Sequence, residues 1–148
     1  MGNFEDMKFI VPCGTFNPEC EHNNRAIVYQ KTFTLTAAQE MATLYICAIG
    51  LGVCYLNGKR VGEDVLCAPI SNYEKTLWVM AYDVRSLLQI GENTLTVITG
   101  NGYYNEGVDS VWKLQNEEGR DFPKVALRLL TDPICIDTDE SWQSPVTV

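Results

Sequence analysis

The stretch AIVYQKTFTL, Ala26–Leu35, decides the fold. Ile27, Tyr29, Phe33 and Leu35 fall on one side of an extended backbone, and Gln30, Thr32 and Thr34 fall on the other. That period of two belongs to a strand with one buried face, whereas a helix would bring apolar residues together every three or four positions. Downstream, TLYICAIG (43–50) and VCYLNG (53–58) repeat the signal on either side of Gly50-Leu51-Gly52. The pair Asn57-Gly58 then marks a tight hairpin into KRVG, because a two-residue hairpin needs positive φ at both positions. TLWVMAY, NTLTVIT, KVALRLL and PICIDT add four more stretches rich in β-branched and aromatic residues.

Two helical signals interrupt this pattern. Ala37–Met41 (AAQEM) is one, and Asp83–Gly91 (DVRSLLQIG), with Asp83 as N-cap and Gly91 as stop, is the other. Each is one or two turns long, too short for a βαβ crossover. The expectation is an all-β chain of seven or eight strands, an antiparallel β-sandwich of jelly-roll or galactose-binding-like topology. With 148 residues, 46% of them apolar, the chain has material for one core. We expect one domain over 1–148, with a lead-in over 1–25, a sandwich core over 26–142 and the start of a linker over 143–148.

Charge and hydropathy narrow the partners. A net charge of −8 opposes attraction to nucleic-acid backbones and anionic lipid, so neither nucleic acid nor membrane is an expected partner. No apolar run approaches the roughly 20 residues of a membrane-spanning helix. MGNFEDMKFI carries neither a basic nor a long apolar leader. As written, the chain reads as cytoplasmic in a bacterium, with secretion of a longer parent left open.

The six cysteines are even in number, yet a domain of this size forms a core without staples. Cys47, Cys54 and Cys135 lie in apolar runs and are expected as free, buried thiols. Cys13, Cys20 and His22 match no common zinc spacing. His22, the single histidine, sits among polar loop residues and reads as solvated. The carboxylate groups Glu63-Asp64, Glu117-Glu118 and Asp137, Asp139, Glu140 lie in polar turns or at strand ends, without the apolar pocket that a glycosidase's general acid requires. No catalytic residue, cofactor or metal ligand is assigned. Calcium is compatible with such sandwiches, but no residue pattern marks a site.

The stretch TGNGYYNEG (99–107) carries the main functional question. It lacks the third glycine and the following helix of a dinucleotide loop. Two readings stay open: an aromatic face for a sugar ring, with Asn101 or Asn105 hydrogen bonding to hydroxyls, or a wedge against a neighbouring domain. Tyr103, Tyr104, Asn101 and Asn105 are its candidate residues. Asn72 and Tyr73 in PISNYEKTLW (69–78) invite the same two readings, and Trp112 is a third aromatic candidate. Trp142 is expected to be buried against the last strand.

LYICAIG, YLNGKRVG, YDVRSLLQIGEN and GNGYY, in this order and spacing and followed by TDESW, closely resemble the N-terminal β-sandwich domain of bacterial α-L-rhamnosidases. With the upstream KFIVP and YQKTFTL the resemblance covers nearly the whole chain. The chain departs from the family at Tyr103, where the family commonly has tryptophan, and at Ile70-Ser71, where it often has an aromatic. The resemblance implies a parent glycoside hydrolase acting on terminal α-L-rhamnose by inversion, its two acidic residues on a separate (α/α)6 barrel. Nothing in this chain supplies that barrel's long helices, so no catalytic residue carries over. The implied role is a non-catalytic accessory domain whose partners are the parent's other domains. The alternative is an autonomous module binding rhamnose or a related sugar.

Overall fold

A computed structural model describes residues 4, 6–12, 25–105 and 121–144. Among them, eight strands form two four-stranded antiparallel sheets. These strands are β1 (Ile27–Leu35), β2 (Ala42–Ile49), β3 (Leu51–Leu56), β4 (Lys59–Arg60), β5 (Met80–Asp83), β6 (Gly91–Gly100), β7 (Lys124–Thr131) and β8 (Cys135–Asp137). One sheet has the order β1-β6-β3-β4 and the other β5-β2-β7-β8. The chain is therefore the expected all-β sandwich.

Period two sorts the side chains. In β1, Ile27, Tyr29 and Leu35 are buried and Phe33 packs against the core. In β6, Leu95 and Val97 are fully buried while Thr94 and Thr96 turn outward. The inner faces meet through Leu44 and Ile46 of β2, Cys54 and Leu56 of β3, and Val125, Leu127 and Leu129 of β7. Burying one such side chain contributes about 1.5–3 kcal/mol, so this layer holds the sheets together.

β7 is buried on both faces because residues 4 and 6–10 lie over its outer side. Ile10 pairs with Val125, Phe4 stacks on Tyr45 with ring centroids 4.9 Å apart, and the Thr138 hydroxyl donates to the Lys8 carbonyl at 2.6 Å. Arg128 is the polar centre of that layer. Its guanidinium donates to both carboxylate oxygens of Asp137 at 2.6 and 2.7 Å and to Asp6 at 3.0 Å.

The hairpin at Asn57-Gly58 has φ of 54° and 76°, as its sequence requires. The side chain of Asn57 does further work, accepting from Thr94 N at 2.9 Å and donating to Leu87 O at 2.9 Å and Asn93 Oδ1 at 2.8 Å. Asn93, 1% exposed, also accepts from Gln89 N at 3.0 Å and donates to Gln89 O and Gly91 O at 2.8 and 3.0 Å. Two amides thus join the β3–β4 turn, the loop before β6 and the first residues of β6.

Three expectations need correction. Residues 37–41 form bends, not a helix, since a single turn cannot repay helix nucleation and Gln39 instead donates to the Ala37 carbonyl at 2.9 Å. The second helical signal shrinks to a 3-10 turn at Arg85–Leu87 with Val84 and Leu88 at its ends in place of Asp83 and Gly91, and Asp83 accepts from Arg85 N at 3.0 Å just before it. Cys135 is exposed, because Ile136 takes the inward position on β8 and its neighbours must point out. Cys47, Cys54 and Cys67 are free and buried, and burial pushes their thiols up to about 11, about 12 and about 11. Trp142 is buried, its indole N–H donating to Asp137 O at 2.9 Å. Cys13, Cys20, His22 and Glu117-Glu118 lie outside the described residues.

Asn93→Ala strips hydrogen bonds from buried backbone groups and is expected to cost roughly 2–4 kcal/mol. Thermal unfolding should show Tm falling by about 5–15 °C, while Ile90→Ala, three residues away and exposed, stays near the parent value.

Candidate functional site

One end of the sandwich gathers most of the candidate residues. β2 reverses into β3 at Gly50, β6 ends at Gly100, and the chain enters a 3-10 turn at Gly102–Asn105. Gly50 has φ +99°, and a Cβ there would lie 2.5 Å from Gly100 O and 3.2 Å from Pro123 Cβ. Three chain segments therefore meet at a point only glycine fits. At Gly102, φ is +53° and a Cβ would strike Leu51 at 2.8 Å, which keeps the 3-10 turn pressed onto β3.

This crossing brings Tyr73 and Tyr104 together edge to face, ring centroids 5.4 Å apart at 84°. Burial raises the Tyr73 phenol's pKa, opposed by a hydrogen bond from the Gly50 backbone. Burial likewise raises that of Tyr104, with Lys124 opposing and Asp121 reinforcing the shift. Lys124 pairs with Asp121 at 2.7 Å beside them. Asn105 is 1% exposed and donates to Asn101 Oδ1 at 3.3 Å. Tyr103, on the same turn, is 55% exposed.

Asn72 is exposed but structurally engaged. Its side chain accepts from Glu74 N at 3.1 Å, and its carbonyl accepts from Lys75 N and Thr76 N at 2.9 and 2.8 Å. Of the seven candidates, Tyr73, Tyr104, Asn101 and Asn105 converge, with Asn105 spent on structure. Tyr103 presents a free-standing ring at the same turn, Asn72 flanks the cluster through its neighbour Tyr73, and Trp112 lies outside the described residues.

Asp6, Asp121 and Asp139 are held toward their ionised forms. The hydrogen bond from Arg128 holds Asp6 below its usual range, and hydrogen bonds from Ser141 do the same for Asp139. Asp121 is partly raised by burial, yet the hydrogen bonds from Lys124 and Phe122 N and the Lys124 charge outweigh it and leave it lowered. A glycosidase's general acid needs the opposite displacement. Among the described residues, no group of three or more His, Cys, Asp or Glu is placed to hold a metal ion, and no helix is long and apolar enough to cross a membrane.

Sequence reasoning missed the side chains that the β4–β5 connection leaves in water. Val65, Leu66, Ile70, Leu77 and Trp78 are 81, 50, 58, 39 and 51% exposed. TLWVMAY read as one strand, but β5 begins only at Met80, so Leu77 and Trp78 never enter the sheet. The available signal was composition, five large apolar residues in a segment bounded by turns.

Two four-stranded antiparallel sheets with a tyrosine cluster at one loop end define an antiparallel β-sandwich domain. The chain belongs to the alpha-L-rhamnosidase N-terminal domain family, which residues 37–147 match. An α-L-rhamnosidase of Formosa agariphila is 36% identical over 96 residues, which is 65% of this chain and 10% of that protein. The structure of α-L-rhamnosidase from Dictyoglumus thermophilum superposes with a TM-score of 0.68 at 31% identity, over 83% of this chain and 14% of that one. That of Aspergillus terreus shares the fold, with a TM-score of 0.75 at 24% identity over 97% of this chain and 17% of that one. This domain is thus found within much longer rhamnosidase chains.

Two outcomes follow from the geometry. Tyr73→Ala removes a partly buried ring and its partner contact and should lower stability by roughly 1–3 kcal/mol, whereas Tyr103→Ala should change it by less than about 0.5 kcal/mol, both read by denaturant unfolding. Asp6, Asp121 and Asp139 are depressed in the folded state. They therefore contribute stability that is present above the unfolded carboxylate pKa of about 3.9 and lost as pH falls through the folded values. Tm should be flat from about pH 7 to 5 and decline below about pH 4, and Arg128→Met should make that acid decline shallower.

Proposed function

We propose that this chain is a non-catalytic accessory domain of an α-L-rhamnosidase-like glycoside hydrolase, positioning or shielding a catalytic domain carried elsewhere in the enzyme. The observation that carries this reading is the chemistry of the carboxylates. Those that depart from their usual range are held ionised by Arg128, Lys124 and Ser141, so no paired acid and base is set up among them. The family context supports it, since the chain spans 10% of its Formosa agariphila relative. The inward use of Asn105 and of the Tyr73–Tyr104 pair suits a loop end whose work is packing.

The experiment is hydrolysis of an aryl α-L-rhamnoside by the purified 148-residue chain beside a full-length rhamnosidase. The expected outcome is no turnover above buffer by the chain alone, and turnover abolished by a carboxylate substitution within it would overturn the reading.

Tyr103 favours a second reading, sugar binding by the isolated domain. Its ring is more than half exposed beside Asn101, and an amphipathic ring of this kind can stack on a pyranose face. The α-L-rhamnosidase of Streptomyces avermitilis, 26% identical with a TM-score of 0.70, has been crystallised with L-rhamnose. A thermal-shift titration with L-rhamnose, with and without calcium, separates the two readings, because a ligand of the folded state raises Tm. The accessory reading expects no shift up to millimolar sugar. A saturable shift selective for rhamnose over glucose and lost in Tyr103→Ala would establish the binding module.

A further inference from the structure

The β4–β5 connection crosses from the edge of one sheet to the edge of the other and closes that flank of the sandwich. It is anchored at several points. Tyr82 of β5 packs on Gly62 and its hydroxyl donates to Asp64 at 2.8 Å, the Arg60 guanidinium donates to the carbonyls of Asp64 and Val65, and Cys67 pairs with Gly52. Tyr73 then ties the segment to Tyr104. Between these fixed points Val65, Leu66, Ile70, Leu77 and Trp78 remain exposed. Large apolar side chains on an anchored segment are not explained by the packing of the described residues, since their burial would stabilise the fold and that packing leaves them out.

Charge is sparse along the same segment. From Val65 to Tyr82 the only charged residues are the adjacent Glu74 and Lys75, in a chain that is 20% charged with a net charge of −8. Depletion of charge with enrichment in Trp, Tyr and Met is the composition of a protein–protein interface core, and an exposed tryptophan is the usual anchor of one. A sugar site would instead interleave polar groups with the rings. The last described residues do not cover this flank: Gln143 pairs with Gln30 of β1, at the opposite edge of the first sheet.

We infer that the flank formed by residues 65–78 is the surface on which another folded domain of the same rhamnosidase chain docks, with Trp78 and Leu66 as its anchors. This rests on the accessory-domain reading. The partner is identified by the length of the relatives, in which 83–90% of the chain lies outside the matched domain, and by its required chemistry, an apolar, weakly charged patch on a folded neighbour.

Hydrogen exchange, measured on the 148-residue chain and on the full-length gene product, tests it. Amides of residues 65–78 should exchange at least about tenfold more slowly in the long polypeptide. Leu66→Ser with Trp78→Ser should erase that protection while leaving the Tm of the isolated chain within about 2 °C, since both side chains are exposed. Protection confined to another face, such as the outer side of β1 and β6, would overturn the assignment and keep the accessory reading. No difference anywhere in the domain would overturn both. Concentration-dependent dimerisation of the isolated chain that protects 65–78 would make a second copy the occupant and overturn the inference.

Discussion

Asn93 governs the phase of the sheet that leads to the candidate site. Its amide makes four hydrogen bonds in a space with almost no solvent, to Asn57, Gln89 and Gly91. Leaving such groups unpaired costs more than the bonds gain, so the first residues of β6 have one acceptable position. β6 is bonded to β1 on one side and β3 on the other, and a slip of one residue would turn Leu95 and Val97 outward and bury Thr94, Thr96 and Ile98. The amide at one end of β6 therefore determines which side chains fill the core. At the other end it determines where Gly100 and the tyrosine turn emerge.

The second sheet is organised around a charge. Arg128 projects from the outer face of β7 at a point where the chain then lays its own lead-in segment, so the guanidinium loses solvent. A buried cation is tolerable only with its hydrogen bonds satisfied, and the fork geometry of Asp137 together with Asp6 supplies that. The arrangement adds specificity of position more than net energy. Asp6 on Arg128 joins the Ile10–Val125 backbone pairing and the Thr138 hydroxyl on the Lys8 carbonyl, so three polar contacts as well as Phe4 on Tyr45 seat the lead-in.

Much of this was legible in the sequence, and the reasons are local. Alternation in Ala26–Leu35 and in NTLTVIT follows directly from the two-residue repeat of a strand, and Asn57-Gly58 states its own turn type. What escaped depended on contacts distant in sequence. Cys135 read as buried because its run is apolar, yet a strand has two faces and Ile136 claimed the inner one. Residues 37–41 have helical preferences too weak to act over a single turn. Asn105 is a candidate for sugar or domain contact in the sequence, and its burial beside Asn101, next to Gly102 packed on Leu51, was not visible there. Tyr73 and Tyr104 were both visible as candidates, while their contact with each other was not, since it needs the crossing at Gly50.

The aromatic residues of the loops have met two different fates, and the difference bears on what the domain is for. Tyr73 and Tyr104 found each other across 31 residues because Gly50, Gly100 and Pro123 converge closely enough to bring their loops into contact. Their rings thereby became part of the fold. Among the described residues Trp78 has no such ring partner, because the segment carrying it reaches β5 along an outer flank and no described strand lies beyond β4 or β5 on that side. Leaving about half of a large indole in water lowers solubility and forgoes the stabilisation that its full burial would give. It is therefore the feature of this sandwich least accounted for by folding alone, and the most direct physical reason to regard the domain as one part of a larger assembly.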